Sequence, residues 1–124
     1  MLADLTDKPA ILNRTQEQPI VRFQNISKAF PGVQALQDVS FDIQRGEVHC
    51  LLGENGAGKS TLMKILTGVY HADAGEIYVN GERVSINDIL QARRLRIGTV
   101  FQENSLIPHL SVAENVFLVR LLVP

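Results

Sequence analysis

Apolar and polar positions along the chain switch period several times, and each switch marks an element. Ile20-Val21-Arg22-Phe23-Gln24-Asn25-Ile26 alternates as a strand with one buried face, and Pro31-Gly32 then signals a turn. Val39-Ser40-Phe41-Asp42-Ile43 alternates again and ends at the turn Arg45-Gly46. Glu47-Val48-His49-Cys50-Leu51-Leu52 reads as a buried strand, and Cys50 on it as a small buried hydrophobe. The period lengthens over Thr61-Leu62-Met63-Lys64-Ile65-Leu66-Thr67, which predicts a helix closed by Gly68. Glu76-Ile77-Tyr78-Val79 and Glu82-Arg83-Val84 flank Asn80-Gly81, a strong hairpin signal.

Ser85 to Asp88 resembles a capping box and predicts a helix through Leu95, with Ile86, Ile89 and Leu90 on its apolar face. Ile97-Gly98-Thr99-Val100-Phe101 is a second buried-strand candidate. A polar loop from Gln102 to His109 follows, and the capping box Ser111-Val112-Ala113-Glu114 opens a final helix. Residues 1–19 are polar and aperiodic and read as a flexible leader. Uninterrupted apolar strands suggest a parallel layer and the hairpins an antiparallel sheet beside it, so the expected class is mixed α/β.

Between the strand 47–52 and the helix from Thr61 lies Gly53-Glu54-Asn55-Gly56-Ala57-Gly58-Lys59-Ser60-Thr61. It fits the phosphate-binding pattern G-x-x-x-x-G-K-S/T in its strand–loop–helix setting. Glycines let the backbone turn so that successive N–H groups converge on phosphate oxygens, and the helix adds its positive end. Lys59 supplies a mobile charge to the β- and γ-phosphates, and the Ser60 hydroxyl is a candidate Mg²⁺ ligand. Thr61 offers another hydroxyl to the phosphate chain. A bare glycine-rich turn is the plainer alternative, but it does not require Lys and Ser at these positions.

Composition narrows the remaining options. At 124 residues the chain holds at most one domain. Lys+Arg 12 against Asp+Glu 13 gives neither a nucleic-acid footprint nor a polybasic membrane patch. One cysteine excludes an internal disulfide, and no secretory signal or bilayer-length apolar run is visible, which favours a cytoplasmic setting. His49, His71 and His109 show no metal-ligand spacing.

The residues resemble the ATP-binding subunits of ABC transporters, specifically those of bacterial monosaccharide importers. The likeness is carried by Ile26-Ser27-Lys28-Ala29-Phe30-Pro31-Gly32-Val33-Gln34-Ala35-Leu36, by the phosphate-loop segment, and by Leu62 through Tyr70. It continues through Phe101-Gln102-Glu103 and through Leu110 to Leu118. The resemblance implies a partial P-loop NTPase domain over residues 20–124, with a mixed parallel sheet and an antiparallel β-subdomain. It implies ATP and Mg²⁺ as ligands, bound by Phe30, Gly53, Glu54, Asn55, Gly56, Ala57, Gly58, Lys59, Ser60 and Thr61.

Phe30 would stack on adenine; the alternative reading is a core aromatic near a strand end. Gln102 would position water and Mg²⁺ together with Lys59 and Ser60; read alone, it is a surface glutamine after a strand. The implied partners are membrane permease subunits, a second ATP-binding domain and, indirectly, a periplasmic sugar-binding protein, with no nucleic acid. Asn104, Leu106 and Pro108 become candidates for the permease contact. The chain would then sit peripherally on the inner face of the cell membrane.

The family's Leu-Ser-Gly-Gly-Gln, its apolar strand ending in Asp-Glu and its switch histidine are not among these 124 residues. The chain is therefore expected to be the N-terminal portion of such a domain. It is expected to lack hydrolysis on its own, because charge at the γ-phosphate, metal and water must all be held. Two other readings stay open: a non-catalytic nucleotide-binding fragment, and another P-loop enzyme such as a GTPase or small-molecule kinase.

Overall fold

A computed structural model describes residues 18–54, 56, 58–100 and 106–122, with side chains up to Leu118 in the last helix. Four strands, β1 (Val21–Phe30), β2 (Val33–Ile43), β3 (Ala74–Val79) and β4 (Glu82–Val84), form one antiparallel sheet in the order β2-β1-β3-β4. Among the described residues three helices accompany it: α1 (Lys59–Leu66), α2 (Ile89–Arg94) and α3 (Val112–Leu122). The core is one face of the sheet, with Phe23, Ile26, Leu36, Ile77 and Val79 packed against Leu62 and Ile65 of α1.

β1 and β2 run longer than their alternation suggests, because the pattern is broken at matched positions. Phe23 and Ile26 are both buried although three residues apart. Asn25 absorbs the extra residue in a left-handed conformation, φ 53°, and Asp38 on β2 does the same at φ 53°. The register shifts on both sides of the pair Ile26↔Val39. Asn25 Nδ2 donates to Asp38 Oδ1 at 2.6 Å, while the Asn25 and Asp38 amides donate to Ser40 Oγ and Ser27 Oγ. The paired bulge returns the core residues to one face, as an inserted residue must when the side-chain period is two. Pro31-Gly32 closes this hairpin with Gly32 at φ 77°, and Asn80-Gly81 closes β3–β4 with φ 50° and 79°, the values a type I′ turn requires.

α1 ends as expected. The Gly68 amide donates to the Ile65 carbonyl at 3.2 Å and the Val69 amide to the Lys64 carbonyl at 2.8 Å, a Schellman motif with Gly68 at φ 83°. α3 opens on the expected capping box: the Ser111 amide donates to Glu114 Oε2 and the Glu114 amide to Ser111 Oγ. The Ser111 amide, and after it the Ser111 hydroxyl, hold the Glu114 carboxyl below its usual pKa.

Three expectations are corrected. α2 starts at Ile89, with Asp88 as its N-cap accepting from the Gln91 amide at 2.7 Å, and not at the Ser85 box. Ser85 Oγ instead bonds Asn87 Oδ1, and α2 buries Ala92 while Ile89 and Leu90 stay exposed. Residues 47–52 form no strand: Val48 and Leu52 are 91% and 92% exposed, and Cys50 is exposed too. Residues 97–100 likewise lie in no strand, with Val100 99% exposed.

No parallel pairing therefore occurs among the described residues, and the sheet seen is wholly antiparallel. The reason is a missing ladder. A parallel strand needs hydrogen-bonding neighbours and cover on both faces, and segment 47–52 has cover on one. His49 stacks on Phe41 at 5.2 Å and Leu51 packs against the core, whereas the opposite side of the segment faces outward. An apolar groove of about 680 Å³ lies between α1 and these segments, lined by Phe41, His49, Leu51, Met63 and Val100.

Candidate phosphate-binding site

The loop at 53–58 is positioned from both sides. Upstream, Leu51 holds the entering chain on the core. Downstream, Gly58 is the N-cap of α1 at φ 88°, and Gly56 takes φ 85°. Gly58 is fixed by packing as well as by its dihedral. A Cβ there would lie 2.3 Å from the Ala35 carbonyl oxygen and 2.7 Å from Leu36 Cδ2, so the loop rests directly on β2. That approach is available only to glycine.

The site's electrostatics favour an anion. α1 has no side-chain cap at its N-terminus and no acidic residue in its first turn. Its first N–H groups, the positive helix end, Lys59 and the exposed Ser60 are gathered where the loop closes. The Lys59 ammonium turns back onto the loop, donating to the Gly53 carbonyl and to the Glu54 carbonyl at 3.2 Å. A triphosphate would exchange these neutral acceptors for charged ones, which bind an ammonium roughly twice as strongly. The residues present thus fit a polyphosphate. For Mg²⁺, no group of three or more His, Cys, Asp or Glu among the described residues could hold it. A hydroxyl with phosphate oxygens and water is the alternative donor set, and Ser60 supplies that hydroxyl.

The chain belongs to the ABC transporter family. The family's profile, described as ABC transporter, matches residues 36–122. The chain is 55% identical over 105 residues to the galactofuranose transporter ATP-binding protein YtfR of Escherichia coli (strain K12), covering 85% of this chain and 21% of that protein. It is 56% identical over 101 residues to the ribose import ATP-binding protein RbsA 2 of Streptomyces coelicolor, covering 82% and 20%. Among solved structures, the ADP conformation of MJ1267, an ATP-binding cassette of an ABC transporter, superposes with a TM-score of 0.55 at 36% identity, covering 58% of this chain and 28% of that one. The chain spans about a fifth of the length of the curated relatives it matches.

The remaining site residues expected of this ABC-family chain fall in different places. Gly53, Glu54, Gly56, Gly58, Lys59, Ser60 and Thr61 lie together at the start of α1, while Asn55, Ala57 and Gln102 lie outside the described residues. Phe30 ends β1. Its ring meets Tyr70 at 5.2 Å and 64°, with Lys28 Nζ 5.4 Å from its centroid. Lys28 is itself held by Asp73 Oδ1 at 2.9 Å. Of the permease-contact candidates, Leu106 and Pro108 are exposed and Asn104 lies outside the described residues.

Sequence reasoning missed two residues that organise these regions. Tyr70 carried no motif role, and only its helical-end position after Gly68 hinted at a fixed location. Asn115 binds the preceding loop from three sides: Nδ2 donates to the Leu110 and Ser111 carbonyls at 3.0 Å, and Oδ1 accepts from the Ile107 amide at 2.9 Å. An asparagine one residue past a capping box, downstream of a proline loop, was the available signal.

Proposed function

We propose that this chain is the ATP- and Mg²⁺-binding portion of an ABC-type ATPase subunit that drives sugar import through a membrane permease. The observation that carries the reading is the glycine-flanked loop resting on β2 and opening into an uncapped α1, with Lys59 folded onto the loop's own carbonyls. The two relatives, one named for galactofuranose transport and one for ribose import, support the sugar class.

In this reading, bound ATP supplies the phosphoryl group whose hydrolysis drives transport. The chain's residues bind and orient it. The α1 amides and Lys59 neutralise the β- and γ-phosphates, Ser60 contributes a hydroxyl to Mg²⁺, Phe30 holds adenine, and Gln102 orients water. Leu106, Pro108 and Asn104 face the permease, which keeps the protein at the inner membrane surface. No helix of the described residues is long and apolar enough to cross a bilayer itself. A second ATP-binding domain and a periplasmic sugar-binding protein complete the assembly.

A second reading is nucleotide binding without turnover by these residues. Calorimetry and a phosphate-release assay on the same protein separate the two. MgATP binding that falls at least tenfold in Lys59→Ala supports the site, and unchanged affinity in that variant defeats it. Gln102→Ala is expected to spare binding and reduce only turnover. Binding with no phosphate release in the wild type selects the second reading.

A further inference from the structure

Beyond the loop, the aromatic pair Phe30–Tyr70 bridges the tip of the β1–β2 hairpin and the end of α1. Tyr70 is unusually well fixed. Its amide donates to the Lys64 carbonyl at 3.1 Å, sharing that acceptor with Val69 at the helix end, and its ring packs against the core. Lys64 Nζ, on the same helix, lies 5.1 Å from the Tyr70 ring centroid. Tyr70 then meets Phe30 at 64°, a steep inclination that sets the plane of a neighbouring ring without lying flat upon it.

The phosphate loop is registered to the same hairpin. Gly58 rests on Ala35 and Leu36, and Leu36 is the strand partner of Lys28. Phe30 lies two residues beyond Lys28, about 7 Å farther along the strand. Phe30 and the phosphate loop are thus carried by one strand pair.

We propose that Tyr70 is a positioning residue for nucleotide base recognition, fixing the Phe30 ring relative to α1 so that base and polyphosphate are read from one rigid unit. The inference rests on the nucleotide-binding reading above and adds a residue to it. Because Tyr70 also packs against the core, loss of affinity alone would not separate positioning from folding, and a ligand without a base is needed.

The experiment measures affinity of the full 124-residue chain for MgATP and for inorganic tripolyphosphate with Mg²⁺, in the wild type, Phe30→Ala, Tyr70→Leu and Tyr70→Phe. Tyr70→Leu is expected to weaken ATP about 3- to 10-fold and leave tripolyphosphate unchanged, with Tyr70→Phe within about twofold of wild type on both. Unchanged ATP affinity in Tyr70→Leu, an equal loss of both ligands, or failure of Tyr70→Phe to restore binding overturns the proposal while leaving the loop assignment standing. Failure of the wild type to bind either ligand overturns the nucleotide reading itself, and this inference with it. An unchanged ATP affinity in Phe30→Ala removes the base platform and the inference, but not the phosphate site.

Discussion

Gly58 and Gly32 share a left-handed backbone, φ 88° and 77°, yet sit in different surroundings. Nothing lies within 4 Å of a Cβ placed on Gly32, whereas one on Gly58 would strike the Ala35 carbonyl oxygen at 2.3 Å. Gly32→Ala is therefore expected to cost only the dihedral strain, about 1–2 kcal/mol. Gly58→Ala adds a backbone collision and should cost about 2–4 kcal/mol. Amide protection of α1 in hydrogen exchange checks this; equal effects in the two variants would mean that the loop does not rest on β2.

A second residue-scale test concerns Asp73, which accepts from the Ala29 amide at 2.8 Å and from Lys28 Nζ. These bonds hold its pKa below 3.8, the amide bond being the larger cause and Lys28 the next. A depressed carboxyl pKa means that the contact stabilises fully above 3.8 and is lost as pH falls through the lowered value. Carboxyl and Ala29 amide shifts followed by NMR should titrate together below pH 3.8, and the Ala29 amide shift should become pH-independent in Asp73→Asn. An ordinary titration at 3.8 would remove the contact.

At the scale of elements, what the sequence revealed depended on how local the physics was. Turns and ends legible in adjacent residues were recovered: Asn80-Gly81, the Gly68 helix end and the Ser111–Glu114 box. These depend on left-handed φ values and on donors within a few residues, so no distant partner is needed to decide them. The α2 start failed because two caps compete within four residues. Ser85 spends its hydroxyl on Asn87, which leaves Asp88 to accept from Gln91 while Gln91 Oε1 accepts from the Asn87 amide. The paired bulge was invisible for another reason. Asn25 and Asp38 are ordinary strand-breaking residues when read singly, and only their pairing across the hairpin turns two interruptions into one continuous core face. The candidate site follows the same division: the glycine-rich loop pattern is contiguous in sequence, whereas the Tyr70 contact with Phe30 joins positions 40 residues apart and has no local signature.

For the whole molecule, the antiparallel unit and α1 share a core, while the apolar segment 47–52 beside them is covered on one side only. Residues 47–52 show this within one stretch: Leu51 packs inward, and Val48 and Leu52 point out at 91% and 92% exposure. An apolar run reads as buried on both faces when nothing in the sequence says which face has a partner, so the pattern alone implies burial of the entire run. Substitution measures the asymmetry. Val48→Thr and Val100→Thr should change stability by no more than about 0.5 kcal/mol and reduce binding of an apolar dye, as expected for solvent-facing sites. Leu51→Thr should instead cost about 1–3 kcal/mol, since it removes buried apolar surface and places a hydroxyl against the core. Urea unfolding of the three variants decides the matter. A Val48→Thr loss as large as that of Leu51→Thr would mean that the segment entering the phosphate loop is enclosed on both sides, a strand within a parallel layer and not the one-sided cover over the Phe41 face described here.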